Sequence, residues 1–279
     1  MNGLEILVRQ AKDGDKEALE GIVRQIQDRV YNLAVRMLGD PVDAEDAAQE
    51  ILVKVITRLE TFREESAFTT WVYSVAARHL MDVRKTRFEH SVRTMEYMEE
   101  LAALPIDEKW PRQFNPAERA LLVEEVRISC LLALLVWLDR PHRLAYVLGD
   151  VFRVTGEQGG AIMDITPEAF RQRLSRARAS LGRFMSDYCS LIRQDNPCEC
   201  ARQASRQLSE GIIDLNDLKF AGKPCAARHD PTILEKLHQM DELIRVAVLF
   251  RTHPDYAAPD DFASGVRELL ESGRFDFFE

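Results

Sequence analysis

Five arginines, at positions 171, 173, 176, 178 and 183, stand against the single acid Glu168 within residues 166–184 of a 279-residue chain whose formal net charge is −9. Arginine and glutamine pair bidentately with guanine and adenine edges, and further arginines hold phosphates. At helical spacing Phe170, Leu174, Ala177 and Leu181 fall on one side, while Arg171, Gln172, Ser175, Arg176 and Arg178 face outward. The chemistry of such a face is recognition of duplex DNA, not bond making. The plainer alternative is a surface helix with a solvated arginine face. Thr166-Pro167 supplies a cap and a proline at the first helical position, and Ile165 a core plug after the turn Asp164-Ile165-Thr166. Together with residues 155–163 this makes a helix-turn-helix over 155–181. Gly159-Gly160 lies in its first helix, where each glycine costs about 1 kcal/mol relative to alanine. Either the helix is frayed there or the pair permits close packing on the second helix.

Two other segments carry recognition chemistry. Residues 40–50, DPVDAEDAAQE, hold five acids and no base and open a helix with the stripe Ala47, Ile51, Val55 and Leu59. Acids in a first turn complement the helix dipole, so helix-start chemistry alone accounts for part of this. Residues 62–87 then mix Phe62, Phe68, Trp71 and Tyr73 with polar residues and turn basic at Arg78, Arg84, Lys85 and Arg87. Exposed rings followed by cations suit single-stranded DNA, whose bases stack while its phosphates pair. Burial of Trp71 and Tyr73 in a core is the competing reading.

The cysteines are Cys130, Cys189, Cys198, Cys200 and Cys225. Cys198, Cys200, Cys225 and His229 are a candidate zinc set of three thiols and an imidazole, although C-x-C is tighter than the usual C-x₂-C knuckle. The same thiols could serve as a redox sensor if exposed with a lowered pKa, or simply pack. No phosphate loop, G-x-S-x-G or H-E-x-x-H is present, which argues against an enzyme. No apolar run approaches the roughly 20 residues of a membrane span, and the acidic amphipathic start does not read as a secretory signal. The expected location is the cytoplasm, with no required cofactor.

The elements that must position these groups are helices throughout. Ala18, Ile22, Ile26, Val30, Leu33 and Met37 form one stripe that Gly39 ends. Asn115-Pro116-Ala117-Glu118, Thr166-Pro167 and Asp230-Pro231 begin later helices, the first with a capping box. Residues 231–250 read as one helix with the stripe Ile233, Leu237, Met240, Ile244 and Ala247. The expected fold is all-α: a helical domain at 1–87, a linker at 88–114 with one short helix, a second helical domain at 115–187 and a helical extension at 188–279.

DAEDAAQEILVKV followed by FTTWVYSVAARHLMDVRK resembles region 2 of the extracytoplasmic-function (ECF) sigma factors in the sigma-70 family, and ITPEAFRQRLSRARASL resembles their region 4. The resemblance covers about residues 15–87 and 115–185, in the family's order. It implies a transcription initiation factor that binds core RNA polymerase. Asp43, Asp46, Gln49 and Glu50 would dock on the β′ clamp helices. Phe68, Trp71, Arg78, Arg84, Lys85 and Arg87 would hold the melted −10 element. Glu168, Arg171, Gln172, Ser175, Arg176 and Arg178 would contact the −35 element, and the second domain the β flap. Family members commonly carry Arg-Asn at Ala77-Arg78 and Ile-Ala at Gly159-Gly160, so the promoter sequence is open. NPC-x-C and LFRTHPDYAAP resemble extensions of longer ECF members, so the tail is expected to regulate in cis, replacing or supplementing a separate anti-sigma protein. Two alternatives remain at this level: a stand-alone helix-turn-helix regulator, and a thiol or metal sensor built on the tail cysteines.

Overall fold

Caps written into the sequence set the starts of the longest helices in the structure, a computed structural model describing residues 3–271 except 92–94, 105–108, 228–231 and 261. Helix α1 (Gly3–Lys12) precedes α2 (Lys16–Leu38), which starts where the Asp15 carboxylate accepts the Glu17 and Ala18 amides. It stops at Gly39, whose φ of 76° is left-handed. The side chain of Asp40 caps α3 (Pro41–Thr57) in the same way, and α4 (Phe68–Asp82) follows. The stripe Ile22, Ile26, Val30, Leu33 and Met37 of α2 is buried against Ala47, Ile51 and Val55 of α3 and Val72, Ala76 and Leu80 of α4. Removing such side chains from water, at about 25 cal/mol per Å² of apolar surface, is what holds this first bundle together.

The connecting stretch carries two short helices where one is expected, α5 (Arg87–Ser91) and α6 (Met95–Ala103). The second bundle begins at α7 (Pro116–Trp137) with a capping box: Asn115 caps the first turn and Glu118 accepts the Asn115 amide. Helix α8 (Arg140–Tyr146) runs into a π-helical turn over Val147–Val151, then come α9 (Gly156–Met163) and α10 (Pro167–Tyr188).

The tail departs most from its sequence reading. Helix α11 (Cys200–Ser209) packs on α7 through Ala204, Leu122 and Val126. The helix expected over 231–250 is two pieces, α12 (Thr232–Lys236) with a 3₁₀ turn at Leu237–Gln239, and α13 (Glu242–Arg251). The break is tolerated because Arg245 donates to the carbonyls of His238 and Met240, and to that of Ile192. Ile244 is therefore exposed rather than part of a continuous stripe. The Asp230-Pro231 helix start lies outside the described residues. Where no strand is expected, β1 (Cys225–Ala227) pairs antiparallel with β2 (Asp255–Tyr256). Helix α14 (Phe262–Glu271) then lies on α2, with Phe262 edge-on to Tyr31 and Arg267 paired with Glu20.

The two bundles are closed on each other. Arg143 of α8 donates to the carbonyls of Leu135, Val136 and Leu138 in its own bundle and to that of Met37 in α2. It also pairs with Glu89 of α5 at 2.9 Å, and Arg140 pairs with the same carboxylate at 2.6 Å while donating to the carbonyls of Met81 and Val83. Burial alone would raise the Glu89 carboxyl. Hydrogen bonds from Arg140, the Thr86 amide and Arg143 outweigh it and bring the pKa down to about 2. The tail spans both bundles. On the first, Asp255 pairs with the buried Arg36 at 2.8 Å, Asn32 exchanges two hydrogen bonds with the Tyr256 backbone, and the Ala258 amide donates to Asp28. On the second, Glu125 of α7 accepts the amides of Lys219, Phe220 and Ala221, and Arg127 donates to Thr252.

Candidate nucleic-acid interface

The helix-turn-helix is built by reciprocal caps. Thr155 caps α9 at the Gln158 amide while the Gln158 side chain accepts the Thr155 amide. Asp164 ends α9 in the left-handed region at φ 56°, and Thr166 caps α10 through the Ala169 amide. Phe170, Leu174, Ala177 and Leu181 are buried, and Ile165 packs against the same core. The two glycines prove to be a packing device and not a frayed end. A Cβ on Gly159 would stand 2.4 Å from the Phe170 ring, and one on Gly160 would stand 2.9 Å from the Ile165 carbonyl oxygen. Only hydrogen at both positions lets α9 cross α10 this closely.

On the outer face of α10, Arg171, Gln172, Ser175 and Arg176 are exposed, and Glu168 forms an ion pair with Arg171. Arg178 is different. Its guanidinium holds both oxygens of Asp150, at 2.9 and 2.6 Å, and Asp150 is 3% exposed in the π-helical turn. Arg178 therefore fixes α10 on the π-helical turn that follows α8, although its side chain is half open to water.

In the first bundle Phe68, expected to meet DNA, is 3% exposed and sits in the core, its ring against Phe62 and Trp71. Its spacing at the start of α4 points it inward, which corrects its assignment as a base-stacking residue. Trp71 is half-buried on that cluster. Tyr73 stacks on Phe152 of the second bundle at 5.7 Å. Arg78, Arg84, Lys85 and Arg87 are exposed. Asp46, Gln49 and Glu50 line the open side of α3, with Asp43 half-buried. Burial first, then Asp40 and Asp46, raise the Asp43 carboxyl. The acids and the basic run, separate in sequence, share one groove of about 560 Å³ lined by Asp43, Asp46 and Glu50 on one side and Arg84, Lys85 and Arg87 on the other.

The tail thiols regroup in a way the spacing did not reveal. Cys198 and Cys200 meet Cys130 of α7 and Cys189 at the end of α10 around one cavity, and Cys189 and Cys198 pair through their backbones. Cys225 stands apart in β1 opposite Tyr256, so the three thiols expected to ligate together do not converge. His229 lies outside the described residues. Among the described residues no group of three or more His, Cys, Asp or Glu is disposed to hold a metal ion. Burial pushes Cys189 up to about 11 and Cys200 up to about 12, and raises Cys130 and Cys198 as well. This is the reverse of an activated thiolate. At pH 8 we expect Cys225 to react first with an aromatic disulfide reagent and the other four slowly, all five becoming fast in urea. Several fast thiols in the folded chain would contradict the buried cluster.

A family model described as Sigma-70 region 2 matches residues 22–88, from α2 through α4 into α5. The RNA polymerase sigma-H factor of Pseudomonas aeruginosa is 29% identical over 185 residues, covering 64% of this chain and 92% of that protein. The ECF RNA polymerase sigma factor SigW of Bacillus subtilis is 26% identical over 185 residues, covering 64% and 95%. The chain is an ECF sigma factor of the sigma-70 family of transcription initiation factors. A solved structure of CnrH in complex with the cytosolic domain of CnrY aligns with this sigma factor at a TM-score of 0.45 and 20% identity, over 65% of this chain and 96% of that one. The groups that sequence reasoning missed in the sigma factor are Glu89, Arg140, Arg143, Asp150 and Phe152. Each acts across a long sequence gap, and no local pattern marks it. Among its described residues no helix is long and apolar enough to cross a membrane.

Proposed function

We propose that this sigma factor directs core RNA polymerase to promoters and that its own tail holds it closed until released. Region 2 is the first bundle and region 4 the second. In this reading Asp43, Asp46, Gln49 and Glu50 meet the β′ clamp helices and region 4 meets the β flap. Trp71, Arg78, Arg84, Lys85 and Arg87 hold the −10 strand. Arg171, Gln172, Ser175 and Arg176 read the −35 element in the major groove, with Glu168 steering Arg171 and Arg178 setting the pose of the helix. The work is regulatory and cytoplasmic, without chemistry on a substrate.

The observation that carries the closed state is the covering of α4. Tyr73 is stacked under Phe152, α9 packs on α4, and the Asp255–Ala258 segment is bonded to α2. The −35 face stays in solvent, so closure acts on region 2 and on the spacing of the two regions.

Run-off transcription with core polymerase on a genomic fragment library tests both parts. Ala258 is 5% exposed against α2. Ala258→Arg forces a long side chain into that close contact, and we expect it to raise protein-dependent transcripts about tenfold or more, since overpacking a buried contact costs about 1–3 kcal/mol. Starts from neither protein would sink the sigma reading. Equal output from both would sink the closed-tail reading alone.

A further inference from the structure

Region 2, region 4 and the tail meet around a cavity of about 360 Å³, within the range of small-molecule sites. Its apolar walls include Phe152 beside the π-helical turn and Val248 of α13. Its charged lining is Arg36, Arg153, Arg251 and Asp255. The Asp255 carboxylate is occupied by Arg36. Both oxygens of the nearby Asp150 are occupied by Arg178. Among the described residues Arg251 donates to the carbonyl of Asp150, through Nε at 2.6 Å. Among the described residues no carboxylate pairs with Arg153 or with the terminal nitrogens of Arg251. Burial, then the like charge of Arg153, push the Arg251 guanidinium below its ordinary range. The cavity thus holds more cations than anions.

Two further observations point to a ligand. Arg153 has a φ of 57°, a left-handed backbone that a non-glycine residue adopts at a cost of about 1–3 kcal/mol and that recurs at ligand clamps. The amides on either side of it lock it there, Phe152 to the Val147 carbonyl and Val154 to that of Leu148. Arg36 is 1% exposed, yet its Nε has no hydrogen-bond partner. Its terminal nitrogens are bonded to Asn32, Asp255 and the His253 carbonyl, so the unmet demand is that of the one Nε donor, a cost of about 1–3 kcal/mol.

We propose that this cavity binds a small organic anion with an aromatic or apolar body, its acidic group between Arg153 and Arg251 and its body against Phe152 and Val248. Guanidinium pairs recognise carboxylate, sulfonate and phosphate oxygens alike, and the wall fixes the body by burial. The binding site stands on its own geometry. Its regulatory consequence rests on the closed reading above: three segments build the site, so an occupant binds the closed arrangement and shifts the population toward it.

The test uses the full chain and anilinonaphthalene sulfonate, a fluorescent aromatic anion, beside neutral phenyl-naphthylamine. Arg153 is exposed, so its replacement leaves the core intact. The expected result is saturable binding of the anion, weakened about tenfold or more in Arg153→Glu and Arg153→Gln, the loss of one charge-assisted contact. Arg153→Lys should retain most of the affinity, and the neutral dye should not distinguish the variants. Equal anion affinity across the variants, or an equal loss for the neutral dye, overturns the proposal. The closed reading fails separately, in the Ala258→Arg transcription comparison.

Discussion

Glu89→Gln should lower the melting temperature of the full chain by about 10 °C. Among the described residues the carboxylate is the one acid shared by Arg140 and Arg143, with side chains 4%, 11% and 3% exposed, respectively. Glutamine preserves the shape but removes the charge. Two buried guanidinium groups would then lean on carbonyls alone, and stripping one partner from a buried ion pair costs about 3–5 kcal/mol. For a chain of this size each kcal/mol shifts the midpoint by about 2–4 °C. The pH dependence checks the cause. A carboxyl lowered in the folded state to about 2 contributes stability that is complete above its unfolded value near 4.5 and is lost as pH falls through about 2. Urea titrations should therefore show a constant gap between wild type and Glu89→Gln from pH 8 to about pH 5, narrowing below that and closing near pH 2. A gap that persists unchanged at pH 2.5 would mean that glutamine acts through packing and not charge. Because the same carboxylate joins α5 to α8, the variant should also loosen the first bundle from the second, read as faster amide exchange on both faces of that joint.

The second large effect concerns alanine at Gly159. Helix propensity alone favours alanine there by about 1 kcal/mol. The contact predicts the opposite sign. The added methyl would stand 2.4 Å from two ring atoms of Phe170, which is 1% exposed and has nowhere to move. Overpacking of this kind costs about 1–3 kcal/mol, so α9 and α10 must separate. Gly160→Ala meets backbone atoms instead, with the Ile165 carbonyl oxygen at 2.9 Å and the Pro167 nitrogen at 3.1 Å. Both variants should melt earlier and lose −35 duplex binding about tenfold or more, since α10 would no longer present Arg171 and Gln172 at one fixed depth. A stabilised Gly159→Ala protein with normal DNA binding would show that the glycines are incidental.

The contrast between these residues indicates what a sequence discloses. Asp15, Asp40, Asn115 and Thr166 each cap amides two or three positions away, so the helix starts are legible from immediate neighbours. The stripe on α2 and the inward face of α10 are legible for the same reason: helical period maps spacing onto sides. Gly159-Gly160 announces itself as an anomaly, but its meaning depends on where the Phe170 ring lies. Phe68 is a harder case, because an aromatic residue at a loop–helix junction suits either a core or a base stack, and only the rings of Phe62 and Trp71 decide. Glu89 sits in a stretch that reads as a linker. Its partners lie 51 and 54 residues later, and no periodicity connects them. The gathering of Cys130 with Cys189, Cys198 and Cys200 is likewise set by which surfaces meet.

The tail touches the first bundle through Asp255–Ala258 and the second through the loop at Lys219–Ala221, and it belongs to the same chain as both. An inhibitor supplied as a separate protein masks a fraction of its target that depends on how much of each is made. A tethered one meets its target at a local concentration fixed by the connecting chain, of millimolar order for short flexible connections. Under the closed-tail reading proposed above, doubling expression of this protein would double masked and unmasked molecules together. On the same reading, dilution, competition from a decoy or degradation of a partner would not unmask it. Only something that changes the strength of the internal contact, such as polymerase itself or an occupant of the junction, would then alter the active share, and that share would respond in the same proportion at every abundance of the protein.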